Sequence, residues 1–157
     1  MARTTQAVQS DTGPAESGRC GMEHAVTDRV PTKGRRVVVV VEDDRPVGEL
    51  LASIINDEDG YYAIHVTRPT DALETLKHVR PDLLVLDVGL PGMSGIELYD
   101  RVQRDERLRR VPVMFETAVA REHRSEFASR GIKNVIEKPF DLDEVVRCVH
   151  KLAPRWN

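Results

Sequence analysis

The segment Leu83 to Gly95, LLVLDVGLPGMSG, limits the fold more than any other part of this 157-residue chain. Four apolar residues run without interruption into one acid, Asp87, and the acid opens a loop that carries three glycines and a proline. A strand that is apolar on both faces belongs to a parallel sheet covered by helices on both sides, and in such sheets reactive groups gather at the carboxyl ends of the strands. Asp87 therefore stands either where chemistry is placed or, because Asp before Gly and Pro is ordinary turn chemistry, as the cap of a turn. The segment alone leaves both readings open.

The remaining chain supplies the other layers of such a fold. Val37 to Val41 is a run of five valines, β-branched and strand-forming, that ends in Glu42, Asp43 and Asp44. Val47, Leu50, Leu51, Ile54 and Ile55 then recur at helical spacing, with Pro46 suited to the first turn and Asp57 to Gly60 closing the helix. Tyr61 to Thr67 reads as a second strand; Pro69 and Asp71 open a second helix using Ala72, Leu76 and Val79, and Pro81 stops it. Past the Asp87 strand, Ile96, Tyr99 and Val102 mark a third helix that starts after Gly95, and Val111 to Thr117 is the fourth strand. Val119 to Arg130 offers only Ala120 and Phe127 as a thin apolar face, which predicts a weakly packed helix. Lys133 to Glu137 is the fifth strand, and Asp141 to Leu152 the last helix, with Leu142, Val145, Val146 and Val149 as its core stripe and Asp141 and Glu144 spaced as a capping box. Five βα units predict an α/β fold, a five-stranded parallel sheet of order 2-1-3-4-5 with helices on both faces, as in flavodoxin.

Composition narrows the setting. With 40% hydrophobic and 31% charged residues the chain reads as an ordinary globular domain, and 23 basic against 26 acidic residues give a net charge of -3. That balance points away from nucleic acid or an anionic membrane as an obligate partner. No run approaches the roughly 20 apolar residues that span a bilayer, and the N-terminus lacks the apolar centre of a signal peptide. Cys20 and Cys148 lie far apart and form no metal or redox spacing, so reduced thiols in a cytoplasmic protein are expected. Residues 1–35 lack apolar periodicity and read as a disordered N-terminal extension, 36–153 as the folded domain and 154–157 as a C-terminal tail. The basic residues Lys33, Arg35 and Arg36 read as a solvated flank in preference to a contact surface.

In a sheet of order 2-1-3-4-5, the ends of strands one, three, four and five converge on one edge. They carry Glu42 and Asp43, Asp87, Thr117 and Lys138. Carboxylates brought this close repel one another unless a cation lies among them, and a hard divalent ion with oxygen ligands, most simply Mg²⁺ keeping several waters, resolves the conflict. A lysine ammonium and a threonine hydroxyl opposite the acids suit phosphate. Asp87 is then placed as a nucleophile able to form an acyl phosphate.

These residues resemble the receiver domain of two-component response regulators over about residues 36 to 153. The resemblance is carried by VVVVVEDD at Val37 to Asp44, LLVLDVGLPGMSG at Leu83 to Gly95, VPVMFETA at Val111 to Ala118 and IEKPF at Ile136 to Phe140. The spacings of 44 residues from Asp43 to Asp87, 30 from Asp87 to Thr117 and 21 from Thr117 to Lys138 fit as well. The family likeness implies phosphorylation of Asp87 by a sensor histidine kinase, a phosphotransfer protein or a small phosphodonor, with Mg²⁺ required. It implies that Asp43 binds the metal directly, Glu42 through water, and Gly89 through its backbone carbonyl, with Asp87 itself a further ligand. Lys138 would pair with a phosphoryl oxygen, its bond to Pro139 would be cis, and Thr117 would move to hydrogen-bond the phosphoryl group. Asp44 fits a helix N-terminal role better than a ligand role.

Two positions depart from the family pattern. Val135 stands where a Tyr or Phe usually partners the switch threonine, so an aromatic swing is not expected. Glu116 is unusual in a strand that should be mostly buried and is expected at the surface, either on the face of the fourth and fifth helices or as a solvated strand end. Gly89 and Val119 carry no side chain able to orient a hydrolytic water, which predicts a slow-decaying acyl phosphate. The implied molecule is a phosphoacceptor that assists its own phosphorylation and dephosphorylation, not a conventional enzyme. With only Ala153 to Asn157 after the last helix, a stand-alone regulator is expected, signalling to a downstream protein or to a second copy through helix four, strand five and helix five. Two other readings remain: a phospho-independent interaction module, favoured by Val135, and a phosphohydrolase, disfavoured because Gly89 replaces the second acid of the Asp-x-Asp pattern common in such enzymes.

Overall fold

A computed structural model describes residues 34–155, so residues 1–33 of the expected extension and 156–157 of the expected tail lie outside that range. Ten elements alternate along the chain: β1 (Arg36–Val41), α1 (Arg45–Asp57), β2 (Tyr61–Val66), α2 (Pro69–His78), β3 (Leu83–Asp87), α3 (Gly95–Arg104), β4 (Val113–Thr117), α4 (Arg124–Ser129), β5 (Val135–Glu137) and α5 (Leu142–Leu152). All strands are parallel and lie in the order β2-β1-β3-β4-β5, as the βα alternation predicts.

The valine run shows why the central strands are apolar throughout. Successive side chains of a strand point to opposite faces. Val39 and Val41 enter a core with Leu84, Leu86 and Phe115 beneath Ala72, Leu76, Ile96, Val102 and Phe127 of α2, α3 and α4. Val38 and Val40 enter the opposite core with Leu83, Val85, Met114 and Ile136 beneath Leu51 and Ile55 of α1 and Val145 and Val149 of α5. Each completely buried valine or leucine contributes roughly 1.5–3 kcal/mol.

Several element ends differ from the sequence expectation, each for a local reason. The fourth strand begins at Val113, two residues late: Pro112 has no N–H for the ladder, and the Val111 amide is used in a turn to the Leu108 carbonyl at 2.8 Å. The fifth begins at Val135, after the turn at Gly131, whose φ of 67° is left-handed. Asp141 does not form a capping box with Glu144; its carboxylate accepts from the Asp143 amide at 2.8 Å. The reciprocal box forms instead at Ser94 and Glu97, the start of α3. As expected, Pro46 lies in the first turn of α1, and Asp44 caps that helix by accepting from the Val47 amide at 3.2 Å. The weakly packed fourth helix is a six-residue helix with Phe127 as its buried residue.

Candidate functional site

Alternation places the site. Glu42 continues the face of Val38 and Val40, Asp87 that of Leu83 and Val85, and Glu116 that of Met114, so all three acids point to the side covered by α1 and α5. Glu42 and Asp87 are buried, and Asp43, one residue on, is exposed. Carboxylate oxygens of Glu42, Asp43 and Asp87 lie within 4.8 Å of one another. Lys138, just past β5, reaches back over this cluster: its ammonium is 2.5 Å from Glu42 Oε2 and 3.3 Å from Asp87 Oδ1. Its backbone amide donates to the Thr117 carbonyl at 2.9 Å, which ties the start of the Lys138–Pro139 segment to the end of β4. The Lys138–Pro139 bond is cis, as the resemblance implies.

The loop after Asp87 is shaped around that residue's backbone. A Cβ on Gly95 would stand 2.0 Å from the Asp87 carbonyl oxygen, so α3 can begin this close to β3 only with glycine there. Gly89 is exposed, and a Cβ on it would lie 3.2 Å from Asp87 Oδ2, so no side chain stands over that oxygen from this position. Thr117 is buried on the other face of β4, two residues from Phe115, and its hydroxyl accepts from the Val119 amide at 3.1 Å. Asp87, Glu42, Asp43 and Lys138 are thus brought together, Gly89 lies beside them, and Thr117 is turned toward the loop that leads to α4. Val135 is half-buried and packs against the core that holds Phe127.

Glu116 is the correction. Expected at the surface, it is 1% exposed, and neither of its oxygens has a hydrogen-bond partner among the described residues. Strand parity accounts for this: Glu116 is paired in register with Asp87 and follows Met114 onto the covered face. Alternation from Met114 was the signal that could have found it. Burial pushes its carboxyl up to about 8, with the Glu42 and Asp87 carboxylates adding to the rise and Lys138 opposing it in part. Burial alone would lower the Lys138 ammonium, but the hydrogen bond to Glu42 and the surrounding acids outweigh it and hold Lys138 above its ordinary value.

The donor set fits a hard divalent cation. It is all oxygen, one carboxylate is open to solvent, and one lysine supplies less positive charge than three close carboxylates demand. No helix among the described residues is long and apolar enough to cross a membrane.

The chain matches the family model described as the response regulator receiver domain over residues 38–150. It is 31% identical over 121 residues to chemotaxis protein CheY of Pseudomonas aeruginosa, covering 76% of this chain and 98% of that one. It is 34% identical over 119 residues to sporulation initiation phosphotransferase F of Bacillus subtilis, covering 74% and 93%. The chain spans only 7% of hybrid signal transduction histidine kinase D of Dictyostelium discoideum and 52% of the phosphate regulon regulator PhoB of Escherichia coli. Among solved structures, the receiver domain of a sensor histidine kinase of P. aeruginosa PAO1, with a magnesium ion coordinated in its active-site cleft, is 25% identical with a TM-score of 0.66, covering 76% of this chain and 98% of that one. The non-phosphorylated HemR receiver domain of Leptospira biflexa is 27% identical with a TM-score of 0.69, covering 78% and 98%. A family match that begins inside β1 and ends inside α5 takes in every strand of the sheet and every helix around it, and the chain accordingly belongs to the response regulator receiver domain family.

Proposed function

We propose that the chain is a response regulator that accepts a phosphoryl group on Asp87 in a Mg²⁺-dependent reaction and signals through protein contacts. The observation that carries this reading is Lys138, whose ammonium bridges Glu42 and Asp87 across an all-oxygen acidic cluster at the carboxyl edge of the sheet. A carboxylate oxygen of Asp87 forms the new bond to phosphorus. The bond from phosphorus to the donor, a phosphohistidine nitrogen or an acyl phosphate oxygen, breaks with its electron pair leaving on the donor. Glu42, Asp43 and Asp87, with the backbone at Gly89, would hold the ion, which when bound neutralises charge on the transferring group. Lys138 exchanges an Asp87 contact for a phosphoryl oxygen, and the Thr117 hydroxyl leaves the Val119 amide to do the same, drawing the β4–α4 loop with it. The transferred group brings a charge of about -1.5 to -2, enough to bias a two-state loop.

The donor in this reading is a sensor histidine kinase or a phosphotransfer protein. The output contact is a downstream protein or a second copy that meets α4, β5 and α5. The short α4, with Phe127 as its buried anchor, supports that choice because few contacts must break for it to shift.

The test is incubation with acetyl phosphate and Mg²⁺, followed by intact mass. A gain of one phosphoryl group that is lost in Asp87→Asn and on chelation is the expected result. Neither Gly89 nor Val119 carries a side chain able to orient a hydrolytic water, which predicts slow loss of that group, and a half-life of seconds would contradict it. No gain of mass favours the phospho-independent module, and repeated turnover of a phosphoester favours the hydrolase.

A further inference from the structure

The Glu42 carbonyl stands where β1 runs out of partners on its β2 side. Val41 and Val66 are the last register pair, and the Glu42 amide still reaches the Val66 carbonyl at 3.1 Å. β2 ends there and the chain turns into α2 at Pro69, so the ladder does not continue. The Glu42 carbonyl is met instead by a side chain, His65, whose Nε2 lies 2.8 Å away. A carbonyl oxygen only accepts, so the imidazole carries its hydrogen on Nε2.

His65 shares the β2 face of Ala63, the face covered by α1. Its ring occupies the space above Gly48. A Cβ at that position would stand 2.0 Å from Nε2 and 2.4 and 2.5 Å from the two carbons beside it, so any larger residue at position 48 expels the ring. Gly48 and His65 are therefore one device built from two elements.

Its effect falls on the acids. The Glu42 carbonyl and the Asp43 amide belong to one planar peptide group, so fixing the carbonyl fixes the direction in which the chain leaves toward Asp43. Glu42 is also tied by its Oε1 to the Asp44 amide at 2.9 Å and by its Oε2 to Lys138 at 2.5 Å. Of these restraints, His65 is the one supplied by a side chain outside the acidic site. We propose that His65 is a positioning residue for the divalent cation: by holding the Glu42–Asp43 peptide group through the Glu42 carbonyl, with Gly48 leaving it room, it sets the spacing of the Glu42 and Asp43 carboxylates. The inference rests on the reading of those carboxylates as the metal site.

Titration calorimetry of Mg²⁺ into the full chain tests it, with thermal melting recorded for every variant. His65→Leu fills the space without a donor and is expected to weaken Mg²⁺ binding about tenfold, the scale seen when groups that orient metal ligands are lost. His65→Gln, whose amide N–H can reach the same carbonyl, is expected to recover most of that loss. Gly48→Ala reads the contact from the helix side and keeps the inference testable if His65→Leu does not fold. Melting temperatures that fall in His65→Leu and Gly48→Ala while Mg²⁺ affinity stays at the wild-type level make the contact purely structural and overturn the proposal. An equal loss in His65→Leu and His65→Gln overturns it too, because the donor is then not what matters. A wild-type chain that takes up no Mg²⁺ removes the metal site itself, an outcome distinct from a wild type that binds and variants that bind as well.

Discussion

At the scale of single residues, Glu116 is the position where charge and packing disagree. Its carboxyl is closed off from water, lacks a hydrogen-bond partner among the described residues and lies beside two other acids, so the folded chain holds its proton up to about pH 8. In the unfolded chain the same group releases its proton near the ordinary 4.5. Between these values the folded state binds a proton that the unfolded state has lost, so its contribution falls as pH rises through that window and levels off above it. Unfolding by guanidinium in metal-free buffer is therefore expected to show a loss of stability from pH 5 to pH 8 that shrinks in Glu116→Val. An unchanged pH slope in that variant would mean that the buried carboxyl is not its source. A neutral Glu116 also leaves Lys138 shared by fewer charges, which keeps its ammonium available to Asp87 and to whatever anion arrives there.

At the scale of elements, the short connections carry more consequence than the helices they join. The reciprocal cap at Ser94 and Glu97 satisfies two backbone amides at the start of α3, and Ser94→Ala is expected to cost about 1 kcal/mol in chemical denaturation. Gly95→Ala, one residue later, has to move the helix or the Asp87 carbonyl 2.0 Å from its new Cβ. It is expected to lose more stability than Ser94→Ala and to lower the yield of phosphorylated protein, whereas Ser94→Ala is expected to leave that yield nearly unchanged. Strands and helices were legible because their apolar spacing is strong: the valine run and the Leu51–Ile55 stripe permit little else. Asp87, Glu42, Asp43 and Lys138 were legible because a strand order forces their ends together. The acid at Glu116 was not, because a charged residue near a strand end reads as solvated until register and parity put it opposite Asp87. The His65 contact was not legible either, since nothing in the spacing of a lone histidine and a lone glycine says that one will cover the other.

At the scale of the whole molecule, a cation held at the proposed site would join parts that the sheet already holds. A ligand that binds only the folded state stabilises it by mass action, about 2.7 kcal/mol at a hundredfold excess over its dissociation constant. Mg²⁺ is expected to raise the melting temperature of the wild type, and Asp43→Asn is expected to remove most of that rise; an equal rise in both would place the ion elsewhere. The pair that spans the site, Glu42 and Lys138, is separated by 96 residues of sequence, whereas β3 with Asp87 lies midway between them. Chains emerge from the ribosome N-terminus first and fold as their segments become available. A chain halted before Lys138 already displays Asp87 and its acidic neighbours but has no ammonium to set against them. On the proposed reading, competence to receive a phosphoryl group at Asp87 therefore waits for the segment that carries Lys138, and a chain halted short of it cannot act as acceptor.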